Sequence, residues 1–370
     1  MRARAMAVVG LCAIAALAAC GTDTRGGGAG ASSAASGPPG NPATAVTITE
    51  TGSTLMLPFL QQLAGPLHDA YSNITLKPTG GGSGKGMADA LSGAVDLGGS
   101  DAYLSNIQQQ ANLDVLDLPV VVSAQAINYN LPGVTDLRLN GDVLARIYRG
   151  EITSWNDPAI AALNSGATLP ATKVVPVRRV EPSGDTFIFT QFLSNAVDSW
   201  RSIPGYGATV DWPKAAGELT ARGNAGMVST CGATPGCVAY VGVSAQKAAG
   251  AAGLGVALLQ NRAGNFLQPS HDTISAALYS AQKLVPDDLR QSLVYAGGDN
   301  SYAIVNYEYL MVKTTQRGAD RALAIRTLLS WLVDTGGGSA PEHLDPVNFV
   351  PLPDGVAARV RAAIPRIVNG

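Results

Sequence analysis

Between Lys173 and Leu193 the chain leaves a strand and enters a helix with only a tight turn in between. Lys173-Val174-Val175-Pro176-Val177 is rich in β-branched residues, the mark of a short buried strand. Arg179-Val180-Glu181-Pro182-Ser183-Gly184-Asp185-Thr186 then turns through Pro-Ser-Gly, and from Phe187 to Leu193 the apolar residues recur with helical spacing. A strand that runs straight into a helix belongs to an α/β protein, and the first turn of such a helix presents unpaired N–H groups. Those donors, the positive end of the helix dipole, a seryl hydroxyl and an arginine fork make a cradle for a tetrahedral oxyanion. The same residues also serve as ordinary helix-start signals, with Pro182 and Ser183 as the cap.

Three more turns share this character. Glu50-Thr51-Gly52-Ser53-Thr54-Leu55 follows the alternating strand Ala45–Thr49, and Thr54 and Leu55 stand where the next helix is to begin. Thr79-Gly80-Gly81-Gly82-Ser83-Gly84-Lys85-Gly86 lies between the strand Ile74–Leu76 and a helix expected over Met87–Leu91, with Ser83 as its natural donor. Val95-Asp96-Leu97-Gly98-Gly99-Ser100-Asp101-Ala102-Tyr103 places Asp101 after a strand and two glycines. Glycine-rich turns of this kind occur throughout α/β proteins, and each alone says little. The second is not a nucleotide-binding P-loop, because residue 86 is Gly rather than Ser or Thr and Thr79 stands at the first Gly position. Nor is it a nucleophile elbow, since Lys85 occupies the second Gly position. Ser244-Ala245-Gln246-Lys247 has the Ser-x-x-Lys spacing without the motifs that accompany it in penicillin-recognising enzymes.

The N-terminus sets the compartment. Arg2 and Arg4 precede the apolar run Met6–Ala19, too short to span a bilayer and of signal-peptide length. It ends in Leu17-Ala18-Ala19-Cys20, the bacterial lipobox pattern, so residues 1–19 are read as a cleaved signal and Cys20 as the lipidated new N-terminus. A plain secretory signal with a fortuitous cysteine is the alternative. Residues 20–45 are nearly all Gly, Ala, Ser, Thr and Pro, a composition expected to form a flexible tether with a reach on the order of 25–30 Å. The chain is therefore expected at the extracytoplasmic face of the cell membrane, lipid-anchored.

The remaining body is long enough for two α/β domains. With 25 basic against 27 acidic residues and no basic stripe, nucleic acid is not expected as a partner. Cys231 and Cys237 flank a turn-forming loop in an exported protein, and a disulfide between them is expected. His68, His271 and His343 are scattered in sequence and away from the cysteines, so neither a metal nor a cofactor is expected.

Taken in order, Thr-Gly-Ser-Thr (51–54), Gly-Ser-Gly (82–84), Gly-Ser-Asp-Ala-Tyr (99–103) and Arg-x-x-x-Ser-Gly-Asp-Thr (179–186) resemble the phosphate-binding lipoproteins of bacterial ABC phosphate importers, with the mycobacterial paralogues as the nearest likeness. Asn128–Val134, Ile152–Ile160 and Ile304–Tyr309 agree, and the resemblance runs from about residue 47 to the C-terminus. It implies a binder of inorganic phosphate that delivers its ligand to a membrane permease and is no enzyme. Ser53, Thr54 and Leu55 would donate from the first turn and Ser83 from the second. Asp101 would accept the proton of hydrogen phosphate. Arg179 would be the one cation, with Ser183, Gly184 and the backbone N–H of Asp185 at the third helix start. The usual Arg-x-Asp-Gly-Ser-Gly reads here Arg179-Val180-Glu181-Pro182-Ser183-Gly184, so a longer acid holds the arginine and a proline replaces a glycine beside the ligand.

Strand–helix alternation implies two doubly wound domains joined by two crossover segments, with the ligand cleft between them, similar to the type II periplasmic binding proteins. The apolar runs Leu116–Asn130 and Tyr302–Val312 are expected as the crossovers. Domain 1 is then residues 46–124 plus 300–370, and domain 2 residues 125–299. Two other functions fit the same cradle: a secreted phosphatase, which needs a nucleophile with a base or a metal pair, and a surface lipoprotein that has lost ligand binding.

Overall fold

A computed structural model describes residues 40–281 and 285–370. The expected signal segment, Cys20 and most of the expected tether lie outside the described residues. Its last six residues do not hang free: Ala43 N and Thr44 N donate to the Asp320 carboxylate, and Asn73 Nδ2 donates to Pro42 O. The ordered body therefore begins earlier than composition alone implies.

The fold is α/β, as expected. Its main sheet contains strands β1 (Val46–Gly52), β2 (Ile74–Gly80), β3 (Leu97–Ser100), β4 (Val115–Tyr129), β5 (Val175–Arg179), β6 (Leu219–Ala221), β7 (Cys237–Gly242) and β8 (Val305–Lys313), in the order β2-β1-β3-β8-β4-β7-β5-β6. A short strand, Gly255–Val256, also pairs with β4. The outer strands run parallel, β1 with β2 and β3 and β5 with β6 and β7, while β8 and β4 are antiparallel to their neighbours.

β4 is the organising element. All 15 of its residues are buried, which requires packing on both faces and explains its unbroken apolar run. Val115–Ala124 pair with β8, and from Gln125 to Tyr129 the partner is β7. The two expected crossover runs are thus adjacent paired strands. The β4–β8 register shifts between Glu308 and Tyr309, opposite Pro119 and Val121. Pro119 has no N–H to give the ladder, and a bulge accommodates that loss.

Helices α1 (Leu57–Ala70), α2 (Ser83–Ser92), α3 (Gly184–Ala196) and α4 (Gly223–Gly232) follow the C-terminal ends of β1, β2, β5 and β6, and α5 (Ala319–Leu332) packs on β1. Gly52, Gly80 and Gly99 stand side by side in register where β1, β2 and β3 end. The expected disulfide joins Cys231 near the end of α4 to Cys237 at the start of β7, with the Cα atoms 5.3 Å apart. Among the described residues, no helix is long and apolar enough to cross a membrane.

Candidate functional site

Three helix starts meet around Asp101 in a buried corner. After β1, the Ser53 hydroxyl oxygen accepts from Leu55 N and Met56 N at 3.0 Å each, and its proton goes to Asp101 Oδ1. After β2, Gly82 caps α2 at φ +91°, a left-handed conformation that a side chain resists, and Ser83 opens the helix. Ser83 Oγ donates to Asp101 Oδ2 at 3.1 Å and accepts from Asp101 N at 3.2 Å. After β5, Ser183 caps α3 by accepting from Thr186 N. Gly184 comes so close that a Cβ there would collide with Asp101 Oδ2 and Ser83 Oγ. Ser53, Ser83, Asp101 and Ser183 are all at most 3% exposed.

Arg179 is the last residue of β5, and its backbone N donates to the Tyr240 hydroxyl at 2.9 Å. Its Nε donates to Glu181 Oε1 at 2.8 Å, Nη2 donates to the same oxygen, and Nη1 donates to Asp185 Oδ2. Nη2 also reaches Thr54 Oγ1 at 3.2 Å. Asp185 is held further by Asn224 Nδ2 at 2.8 Å and Gln125 Nε2 at 3.1 Å. Thr54 Oγ1 accepts additionally from Asn224 N at 3.1 Å, so donors surround its oxygen and its own proton is left to give.

The electrostatics are those of a crowded acidic corner with one cation. Burial works against the charge on Arg179, but Asp185 and Glu181 outweigh it and raise its pKa. Burial likewise opposes ionisation of Glu181, and the Arg179 hydrogen bond lowers its pKa on balance. Asp101 is raised, first by burial and then by the Asp185 charge.

The structure brings together Ser53, Thr54, Ser83, Asp101, Arg179, Ser183, Gly184 and Asp185. Leu55 is beside them, but α1 starts at Leu57, two residues later than expected, because Ser53 captures the intervening N–H groups. α2 starts four residues earlier than expected, since Gly82 rather than the glycine run as a whole ends the turn. The Asp185 carboxylate, with no expected role beside the backbone N–H of its residue, faces Arg179, because the guanidinium and two side-chain amides solvate it. Asp101 is accordingly not a lone carboxylate opposite a lone guanidinium. Pro182 lacks an N–H, yet its carbonyl accepts from Gly84 N at 3.2 Å and links α2 to the Arg179 turn.

Sequence reasoning missed Gln125, Asn224 and Tyr240, and with them Ser123, Asn306 and Glu308 behind Asp101. Ser123 and Gln125 do leave a signal, as polar residues inside an apolar strand. Beside the corner opens a groove of 660 Å³ lined by Tyr103, Phe187, Tyr206 and Arg290 among others.

Residues 37–335 match the PBP superfamily domain. The phosphate-binding protein PstS of Methanocaldococcus jannaschii is 33% identical over 85% of this chain and 84% of its own length. PstS3 of Mycobacterium bovis is 30% identical over 97% of both chains, so the special likeness to mycobacterial paralogues is not borne out. Among solved structures, a periplasmic phosphate-binding protein of the DING type superposes with a TM-score of 0.69 at 22% identity, over 86% of this chain and 94% of that one. The fold and the identity over most of both lengths agree, and the chain belongs to the PstS family of phosphate-binding proteins within the PBP superfamily.

Proposed function

We propose that this chain binds inorganic phosphate outside the cytoplasmic membrane and delivers it to the permease of an ABC importer. The observation that carries this reading is the convergence of three helix starts on Asp101, a buried carboxylate already furnished with two seryl donors. A phosphate seated in this corner gives its own proton to Asp101, draws the Ser53 and Ser83 hydroxyl protons and the Leu55 amide away from the partners they hold here, and accepts also from Thr54, Ser183, Gly184, the Asp185 amide and Arg179. Neutral dipoles balance most of its charge, since Arg179 is already shared between Glu181 and Asp185.

Asp101 supplies the selectivity. Sulfate has no proton to offer it, and two acceptors face to face cost at least about 1–3 kcal/mol. In this scheme residues 46–124 with 300–370, and 125–299, act as two lobes that close on the anion about the paired β4 and β8. Lipidation at Cys20 keeps the body near the membrane. The names of the relatives and the phosphate-bound DING structure support the ligand.

Calorimetry of the mature chain with phosphate, arsenate, phosphite and sulfate tests the proposal, repeated with Asp101→Asn. Phosphate binds, sulfate does not, and the Asn variant loses affinity or discrimination. Sulfate binding as tightly as phosphate would rule out the role given to Asp101.

A further inference from the structure

Behind Asp101, away from the Arg179 turn, lies a second carboxyl group. Glu308 on β8 is fully buried, as is Ser123, which stands opposite Asn306 across the β4–β8 ladder. Asn306 Nδ2 faces three acceptors, namely Asp101 O at 3.3 Å, Tyr307 O at 3.1 Å and Glu308 Oε1 at 3.1 Å. That fixes Asn306 Oδ1 as the acceptor of the Ser123 hydroxyl at 2.9 Å. Yet Ser123 Oγ also lies 2.5 Å from Glu308 Oε1. One hydroxyl carries one proton and cannot donate to both oxygens. The other Glu308 oxygen, Oε2, is buried and receives no N–H or hydroxyl proton, while the Glu308 and Asp101 side chains are hydrogen-bonded to one another, a contact that needs a proton on one of the two carboxyls.

An ionised carboxylate with an unsatisfied buried oxygen and a contested donor is costly, whereas a neutral acid resolves the count. Asp101 is the opposite case, because both of its oxygens receive a seryl proton. We propose that Glu308 is a neutral carboxylic acid holding the single proton of a Glu308–Asp101 pair, and that it thereby keeps Asp101 as the ionised member that must take its proton from the ligand. Glu308 is then a positioning residue for anion discrimination, a role that rests on the phosphate reading. Burial, followed by the Asp101 charge, drives the Glu308 pKa well up. The charged groups facing the pair are Asp185 and Arg179, both on the Asp101 side. The flanking Tyr307 and Tyr309 are held neutral by burial.

Infrared difference spectroscopy of the ligand-free mature chain at neutral pH tests the protonation directly. Wild type minus Glu308→Gln shows the carbonyl stretch of one protonated carboxylic acid, and wild type minus Asp101→Asn does not. No such band in the first difference, or its appearance in the second instead, overturns the assignment. Phosphate titrations supply the second readout. Glu308→Gln stays neutral and binds within about threefold of wild type, while Glu308→Leu, which strands Ser123 and Asn306, weakens binding by about tenfold or more. Wild type loses affinity at alkaline pH as Glu308 ionises, and Glu308→Gln does not; matching alkaline limbs in the two proteins overturn the proposal. If wild type fails to bind phosphate at all, the phosphate reading falls alone, since the infrared measurement needs no ligand.

Discussion

Arg179 and Asp185 hold one another across the first turn of α3, with both side chains only 1% exposed. Because Glu181 shares the same guanidinium at 4% exposure, one cation compensates two buried anions. Removing the cation strands both, and breaking a buried pair from one side costs about 3–5 kcal/mol. Arg179→Ala is therefore expected to lose that much stability in urea unfolding. Arg179→Lys keeps the charge without the planar fork and falls between the two. An Arg179→Ala protein as stable as wild type would show that the arginine serves only ligand binding.

Gly184 is the closest approach of the Arg179 turn to Asp101. An added methyl would strike Asp101 Oδ2 and Ser83 Oγ, the groups proposed to hold the anion. Gly184→Ala is expected to abolish the phosphate heat in calorimetry while costing about 1–3 kcal/mol of stability, as overpacking does. Gly355→Ala is the control, because a Cβ at that helical position meets nothing within 4 Å. Its phosphate binding is expected to match wild type.

The corner was legible in sequence to the extent that its parts are local. Ser53, Ser83 and Ser183 sit at strand-to-helix turns whose glycines and caps are written within a few residues. Asp101 and Arg179 lie at the ends of short strands and could be placed with them. Gln125, Asn224, Tyr240 and Glu308 were not legible, because they reach the corner from strands and a helix far along the chain. The β4–β8 and β4–β7 pairings bring Glu308, Gln125 and Tyr240 there, and Asn224 arrives on the first turn of α4, which packs against β7. The partner of the Asp185 carboxylate was not legible for a related reason. Its attraction to Arg179 depends on a turn of six residues and on amides from β4 and α4.

The Cys231–Cys237 bridge closes a loop with a sequence separation of 6. Loop-closure entropy for so short a ring corresponds to about 2 kcal/mol. The end of α4 has a second anchor, because Asn130 Nδ2 donates to Cys231 O at 2.9 Å and Gly232 O at 3.0 Å. The double variant Cys231→Ala with Cys237→Ala is therefore expected to fold, to lose about 2 kcal/mol or less in urea unfolding, and to bind phosphate as wild type does. Failure of the variant to fold would give the bridge a larger part than its loop length allows.

Glu50 sits under the corner on β1 at 2% exposure, with Oε2 lacking a partner, and burial pushes its pKa from 4.5 up to about 8 despite hydrogen bonds from the Thr79 and Gly99 backbone. Between those two values the native chain binds a proton that the unfolded chain has released. Stability therefore falls as pH rises through the interval, by up to about 1.4 kcal/mol per pH unit. Asp117, which accepts from Leu104 N at 2.7 Å and is pushed by burial to about 7, acts in the same direction. Urea unfolding between about pH 5 and pH 8.5 is expected to show wild type weakening toward the alkaline end. Glu50→Gln keeps a carbonyl acceptor and carries no charge, so its decline is shallower, and Asp117→Asn in the same background flattens it further. A wild-type stability that rises across this range would mean that Glu50 is ionised in the native protein, and that the buried side of β1 is more polar than its packing indicates.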